Sequence, residues 1–420
     1  MFRDPVHGFI EVFAPEEKII DTPTFQRLRR IRQLAFTNYV YHGAEHTRFP
    51  HSIGVMYCAN RILDSVIRNV PEAVPEEDRE RTTHILRLYG LLHDIGHGPF
   101  SHASEEFFEE GTKHETISAM LTQNSEIAEI IDTEYRDLGI NAKDVADLIR
   151  KAKADPVSLL LRQIMDSDAD ADKMDYLLRD SLHCGVAYGR FDSDRMLLSY
   201  SALRDNDANA WRLAIREGGL YALESFVLAR YWMFIQVYFH AKRRFWDIAL
   251  VRFVSDQGLK LPTPVNSNAC KEFLAFDDDW LRQLIVEASN AGNEWAEAIA
   301  QRHSWKSTGL SVGAHVPSGD RRVLNMTRRS MERMFGERVI FDLPEKAPQT
   351  LKNLQVDRPE EESIVLLNRA GAPADIMVTS EVVGSLKDKI RMPRVYAREK
   401  DWAAVEAELR KLQDDAEGDD

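Results

Sequence analysis

Apolar residues recur at three- and four-residue intervals through SIGVMYCANRILDSVIRN (52–69), the spacing of one buried helix face. This predicts a helix opening at His51-Ser52. A second stretch of that kind runs from Arg81 to Ile95, and Gly96, Gly98 and Pro99 end it. Pro71 to Glu80 between them is a polar loop. Upstream, Asp21-Thr-Pro opens a helix through about Leu34, with Pro23 as a first-turn residue. Residues 1–20 read as a short hairpin: FIEVF after Asp-Pro and His-Gly, then a turn at Ala-Pro. After Ile95, helices follow one another to about Trp305, interrupted at LPTPVNSN (261–268). The most apolar of them, 221–240, contains Glu224, Arg230 and Gln236, so it predicts a buried helix rather than a membrane span.

The pattern changes after Lys306. SVGAHV (311–316), RVIFDL (338–343), SIVLLN (363–368) and PRVYA (393–397) read as strands between shorter helices. A last helix, DWAAVEAELRKLQ, runs into the acidic DDAEGDD, a frayed tail. The predicted fold is mainly α: a helical core over 1–306 with an N-terminal hairpin, then a smaller α+β lobe over 307–420. The chain length of 420 residues suits that division, since domains run to about 100–200 residues.

Composition narrows the classes. The net charge of −14 excludes a general nucleic-acid track, so any phosphate must be held by a local basic cluster against the overall field. RLRRIR (27–32) is the densest basic run, and it reads equally as an exposed helix face paired to acids. Cys58, Cys184 and Cys270 include no CxxC, which excludes a disulfide framework and a thiolate zinc site. The start MFRDPVHGFIEVF carries no run of signal-peptide length. A cytoplasmic protein with no membrane association is expected.

Histidine placement carries the chemistry. Eight of the 13 histidines fall between His42 and His114, where an even spread would put about two. A lone histidine such as His42 or His84 reads as surface or satisfied core. GLLHDIGHGPFSH (90–102) reads differently: His93, Asp94 and His97 flank a glycine-rich break that lets a ligand approach the backbone. Imidazole and carboxylate without thiolate suit Mn, Fe, Zn, Ni or Mg with open positions for water. His93 and Asp94 point about 100° apart on a helix, so they share an ion only at a helix end, and other segments must complete the site. His51 is one source. MDSDADADKMDYLLRD (165–180) is another, with aspartates at 166, 168, 170, 172, 175 and 180. A calcium loop fails there, because Ala171 holds the glycine position and Leu177 the final glutamate position.

At these residues the chain resembles the HD-domain phosphohydrolase superfamily, and within it the dNTP triphosphohydrolase branch, which contains the sterile-alpha-motif HD-domain enzyme and bacterial dGTPase-like proteins. The resemblance is ordered: DPVHGFIEV (4–12), IIDTPTFQRLRRIRQL (19–34), HGAEHTRFPHSIGV (42–55), LLHDIGHGPFSH (91–102), KHE (113–115) and DADKMDYLLRD (170–180). It implies that His51, His93, Asp94 and Asp172 hold one divalent metal, with additional Mg arriving on the nucleotide. It implies hydrolysis at the α-phosphorus, giving a deoxynucleoside and intact triphosphate. His97, His102 and His114 match proton-handling positions, with His102 as the expected acid. Glu105 stands where the branch has an aspartate, which lengthens that carboxylate's reach.

The same resemblance gives substrate residues. Arg48 matches a grip on the α-phosphate. Gln33 and Asp180 match readers of the sugar 3′-hydroxyl, and Tyr176 matches a tyrosine that obstructs a 2′-hydroxyl. Lys173 and Arg230 match outer-phosphate contacts, and Tyr238 a contact near sugar and base. A basic run of the branch is replaced here by Phe234-Ile235-Gln236, for which Arg243 and Arg244 are substitutes close in sequence. Asp21, Gln26 and Arg29 match an activating-nucleotide site between subunits, which implies a homo-oligomer, dimer or tetramer. Two alternatives stay open. One is the same site acting as a phosphatase, phosphodiesterase or nuclease on another phosphoester. The other is a nucleotide-binding regulator, whose mark would be a lost metal ligand.

Overall fold

The computed structural model describes residues 1–109, 111–152, 156–205, 209–310, 321–346, 364–386 and 390–417. The N-terminal hairpin is present: Phe2–Asp4 pairs antiparallel with Gly8–Ile10. Its turn is built by Asp4, whose Oδ1 accepts from the backbone N–H of Val6 at 2.8 Å and of His7 at 3.0 Å. Ala14-Pro15 is not a turn but the first turn of a helix, Ala14–Ile20, where proline is tolerated because its missing N–H has no helical partner. The buried Glu16 of that helix takes a two-pronged bond from Arg87, at 2.6 Å on each oxygen.

The predicted helix over 21–34 is shorter. Thr22 caps Pro23–Gln26, a 3-10 turn follows at Arg27–Arg30, and Ile31 is extended. The backbone then bonds across to residues 46–48: Gln33 N–H to the His46 carbonyl and Arg48 N–H to the Ile31 carbonyl. Tertiary pairing overrides the helical pattern, and it sets Arg32 opposite Thr47 in a short antiparallel bridge.

Three helices frame the centre. Arg48–Asn69 begins three residues before the predicted start and buries Ile53, Met56, Ile62, Leu63 and Val66. Arg79–Leu92 crosses it closely: a Cβ at Gly90 would stand 2.9 Å from Met56 Cα. Ala171–Cys184 is capped by Asp170, whose side chain accepts from Lys173 N–H, and ends on Gly185 at φ 69°. The expected polar loop at 71–80 contains two 3-10 turns and the first residues of the second helix.

The run of helices to residue 305 is interrupted by a hairpin that its pattern did not reveal. Tyr200–Asp205 pairs antiparallel with Ala210–Arg216. Ala210–Arg216 is buried along most of its length and Tyr200–Asp205 over its first three residues, so neither shows the alternation that marks a half-exposed strand. Ala210–Arg216 also pairs in parallel with Val365–Leu367, so one four-stranded sheet draws on chain from both sides of residue 306. The expected strands at 338–343 and 393–397 form as Val339–Asp342 and Arg394–Ala397, which pair together with Lys306–Gly309. SVGAHV and the last three residues, Gly418, Asp419 and Asp420, lie outside the described residues; the C-terminal helix Trp402–Glu417 takes up the rest of the expected tail.

The apolar segment 221–240 forms Leu220–Met233 followed by a wider π turn, Phe234–Tyr238, closed by Phe239 N–H to the Phe234 carbonyl at 2.8 Å. No helix among the described residues is long and apolar enough to cross a membrane.

Candidate active site

His93 caps the C-terminus of Arg79–Leu92, so the helix end lets it and Asp94 face one point. Its Nδ1 bonds the Gly90 carbonyl at 2.8 Å, so Nδ1 carries a proton and the neutral ring presents its lone pair at Nε2. That buried Nε2 makes no hydrogen bond among the described residues. It stands 3.3 Å from Asp94 Oδ1 and 3.9 Å from Asp172 Oδ1. His51 Nε2 stands 3.1 Å from Asp172 Oδ1 and 3.5 Å from Asp94 Oδ2. Donors each about 2.1 Å from one ion stand roughly 3–3.5 Å apart; three of the four separations fall in that range, and His93 Nε2 to Asp172 Oδ1 is wider. The orphaned Nε2, two carboxylates and no thiolate suit a divalent metal, which His51, His93, Asp94 and Asp172 could hold.

The charges support this. Burial works against a charged His51, but Asp172 and Asp175 outweigh it and raise its pKa to about 10. A proton there takes the place a metal would take, so the two compete for Nε2. Burial also opposes ionisation of Asp94, yet Arg48, His93 and His97 hold it well below the usual carboxylate range. Asp172 is lowered in the same way, against burial, by His51 and His93.

Two groups of donors stand close enough to hold an ion: His51, His93 and Asp172, and beside them Asp94, His97 and His114. The His97 and His114 rings stack at 3.9 Å and 18°. Gly96 makes this approach: a Cβ there would collide with the backbone at His114 and Ser118. Arg27, wholly buried, donates to the His97 carbonyl at 2.8 Å and fixes the loop from behind. His97 is pushed well below its ordinary pKa, first by burial and then by Arg48 and His114. His114 is raised: burial opposes, but its Nδ1 bonds Glu105 Oε1 at 2.7 Å, with Asp94 and Glu115 adding. Glu105 therefore partners His114. The side chain of His102 lies outside the described residues.

The expected substrate residues converge on the same place. Gln33, Arg48, Lys173, Tyr176, Asp180, Arg230 and Tyr238 all line a cavity of about 490 Å³ that also takes in the metal-type cluster, His97 and His114. Arg48 donates to Ser101 Oγ at 2.8 Å and pairs with Asp94. Asp180 accepts from His46 Nε2 at 2.8 Å and from the Tyr238 hydroxyl at 2.7 Å. The buried Oε1 of Gln33 has no hydrogen bond among the described residues. Lys173 pairs with Asp170, and the Arg230 guanidinium lies over Phe234.

The replaced basic run contributes only Phe234 to the lining, whereas Lys151 and Arg243 do line the cavity. The buried Nε of Arg243 has no hydrogen bond among the described residues. Arg244 instead binds Asp342 at 2.7 Å and is not part of the lining. Of RLRRIR, Arg30 pairs with Asp277, Arg32 with Glu45, and Arg27 is internal. Asp21, Gln26 and Arg29 sit outside this cavity, at the turn after Ala14–Ile20; Arg29 bonds Gln26 at 2.8 Å, and Gln26 bonds the Ile20 carbonyl.

Several participants were not singled out from the sequence. Lys151 carried no motif. His46, behind Asp180, was one histidine among many. Asp175, behind His51, was one aspartate in a crowded helix, though its offset of three from Asp172 put both on one helix face.

Imidazole and carboxylate donors beside cations suited to an anionic ligand define a class, the metal-dependent phosphohydrolases. The chain belongs to the HD-domain family. The HD domain model matches residues 48–180, and the HD associated region model matches 191–411. A solved hypothetical protein from Aquifex aeolicus is 30% identical with a TM-score of 0.78, over 97% of this chain and 99% of that one. An uncharacterized Bacillus subtilis protein, YwfO, is 37% identical over 261 residues, 60% of this chain and 55% of its own length. The deoxynucleoside triphosphate triphosphohydrolase SAMHD1 of Gallus gallus is 34% identical over 224 residues, 47% of this chain and 36% of that one. The chain spans about half the length of the curated relatives it matches.

Proposed function

We propose that this protein hydrolyses deoxynucleoside triphosphates at the α-phosphorus, yielding a deoxynucleoside and intact triphosphate. The observation that carries the reading is one cavity lined both by the metal-type cluster and by every side chain the resemblance assigns to sugar and phosphate. The named activity of the Gallus gallus relative supports it. His51, His93, Asp94 and Asp172 would hold a divalent ion, which would supply Lewis acidity and make water a stronger nucleophile at neutral pH. Arg48 presents a planar fork to the α-phosphoryl oxygens, and its charge opposes that of the developing transition state. The oxygen of water bonds to phosphorus, the bond from phosphorus to the 5′ oxygen breaks, and that oxygen leaves with a proton. His114, oriented by Glu105 and stacked on His97, is the donor this geometry favours, and His102, the acid the resemblance implies, is the second candidate.

Asp180 has two lone-pair sites in use, of about four that a carboxylate offers, so it retains capacity for a sugar hydroxyl. Gln33 Oε1 is a second acceptor. Tyr176 crowds the 2′ position. Lys151, Lys173, Arg230 and Arg243 serve the outer phosphates, with additional Mg on the nucleotide. Asp21, Gln26 and Arg29 are the place for an activating nucleotide in a dimer or tetramer. The buried free cysteines suit the cytoplasm.

One observation favours a second reading, a phosphatase or phosphodiesterase on a smaller nucleotide: no cation stands at 234–236. Paired turnover assays separate the two. With Mn²⁺, each dNTP should turn over and its ribose counterpart should not. Equal turnover of both sugars, or preference for a monophosphate or cyclic nucleotide, supports the second reading.

A further inference from the structure

His51 uses both ring nitrogens. Nε2 faces Asp172 and Asp94, and Nδ1 bonds Asp175 Oδ2 at 2.8 Å. Asp175 is wholly buried and held in turn from two sides. Arg179 grips it through Nε at 2.8 Å and Nη2 at 2.7 Å. His7 Nε2 bonds its Oδ1 at 2.7 Å. Arg179 also bonds Asp4 Oδ2 at 3.0 Å, and the other oxygen of Asp4 builds the turn that carries His7. A continuous chain of bonds thus runs from the hairpin turn DPVHG to the imidazole expected to touch the metal.

Gly54 is an independent sign that this place is kept for Asp175. It lies one helical turn after His51, and a Cβ there would land on Asp175 Oδ1 and Arg179 Nη2. Any other residue at 54 would drive the carboxylate off Nδ1. The hairpin explains its own sequence in the same terms. Asp4 is needed for both the turn and Arg179, and His7 is needed to reach Asp175.

We propose that His7 and Asp175 are positioning residues of the metal centre: the N-terminal hairpin, acting through Asp175, holds His51 in the tautomer and orientation that present Nε2 to the ion. This rests on the reading that His51 is a ligand. A carboxylate behind a ligating imidazole fixes its ring and raises its basicity, and losing it costs about 10–100-fold in affinity.

The test uses the full chain stripped with chelator and titrated with Mn²⁺ in a calorimeter. Circular dichroism and apo melting accompany each variant. Asp175→Asn should weaken Mn²⁺ binding by about 10–100-fold, and His7→Ala by about tenfold, at the lower end of that range. His7→Gln keeps an N–H within reach of Asp175 and should restore binding to near the wild-type Kd. A hairpin that only stabilises the fold would lower the apo melting temperature of His7→Ala and leave its Kd unchanged, and that result overturns the proposal. If Asp175→Asn fails to fold, the His7 pair decides alone. His51→Ala separates the two levels: if it binds Mn²⁺ as wild type does, the ligand reading itself fails. If it loses the metal while both His7 variants keep it, only the positioning role fails.

Discussion

Glu105 and His114 pose the sharpest question at the scale of single residues. Glu105 raises the His114 pKa above its ordinary value of 6.5. The protonated form is then present below the raised value and lost as pH climbs through it. If His114 supplies the proton, kcat falls on the alkaline side at that raised pKa. Glu105→Gln removes the anion and should move the falling limb to lower pH, as read from a kcat–pH profile. An unmoved limb would assign the acid elsewhere, with His102 next in line. Arg243 makes a separate prediction. Loss of one charge-assisted bond, about 1.5 kcal/mol, should raise KM about tenfold in Arg243→Ala with kcat little changed. A matching fall in kcat would place Arg243 at the reacting phosphorus instead. Residue types were largely legible: His93, Asp94 and His97 stood out by clustering alone. Which of six aspartates would face an ion was legible only through the family resemblance, which named Asp172; the residue pattern alone did not choose, because Asp172 and Asp175 share a helix face and tertiary packing separates them.

At the scale of elements, the site depends on how closely Arg48–Asn69 and Arg79–Leu92 approach, since one brings His51 and the other His93. Gly90 sets that distance. Gly90→Ala should cost about 1–3 kcal/mol, the usual penalty of overpacking, seen as a Tm lower by several degrees in calorimetry. Mn²⁺ binding should weaken with it, because the helices part at the end that carries His51 and His93, the residues proposed to hold the ion. Unchanged Tm and binding would mean that the contact is slack. These helices were legible from their period. The segment 21–34 was not, because its later half pairs with residues 46–48, and no local pattern reports that. The 200–216 hairpin escaped for a related reason: consecutive buried residues, at 200–202 and 212–215, leave no alternation to read.

The whole molecule carries a net charge of −14, yet its main cavity gathers Arg48, Lys151, Lys173, Arg230 and Arg243. Local cations there work against the overall field, as the composition required. The C-terminal part braces that cavity. Arg394 donates to the Phe239 carbonyl at 2.6 Å, Tyr396 to the Ala241 carbonyl at 2.8 Å, and Val365–Leu367 extends the core sheet. Removing residues 307–420 should therefore lower Tm and abolish turnover, measured by calorimetry and nucleotide assay. A truncated chain that melts and turns over like the full one would mark the C-terminal part as an accessory. Three of the lobe's expected strands form, Val339–Asp342, Val365–Leu367 and Arg394–Ala397, but the pairing into the core sheet was not legible, because the parallel partners Ala214 and Val365 lie far apart in sequence.

The central claim is attack at the α-phosphorus, and product analysis tests it most directly. The purified chain would be incubated with dNTPs, singly and mixed, with Mn²⁺, Mg²⁺ or Co²⁺, and the products separated by chromatography. The account predicts deoxynucleoside and intact triphosphate in equal amounts, with turnover confined to mixtures if an activating nucleotide is required. Stepwise release of single phosphates, or bound metal with no turnover of any dNTP, would contradict it.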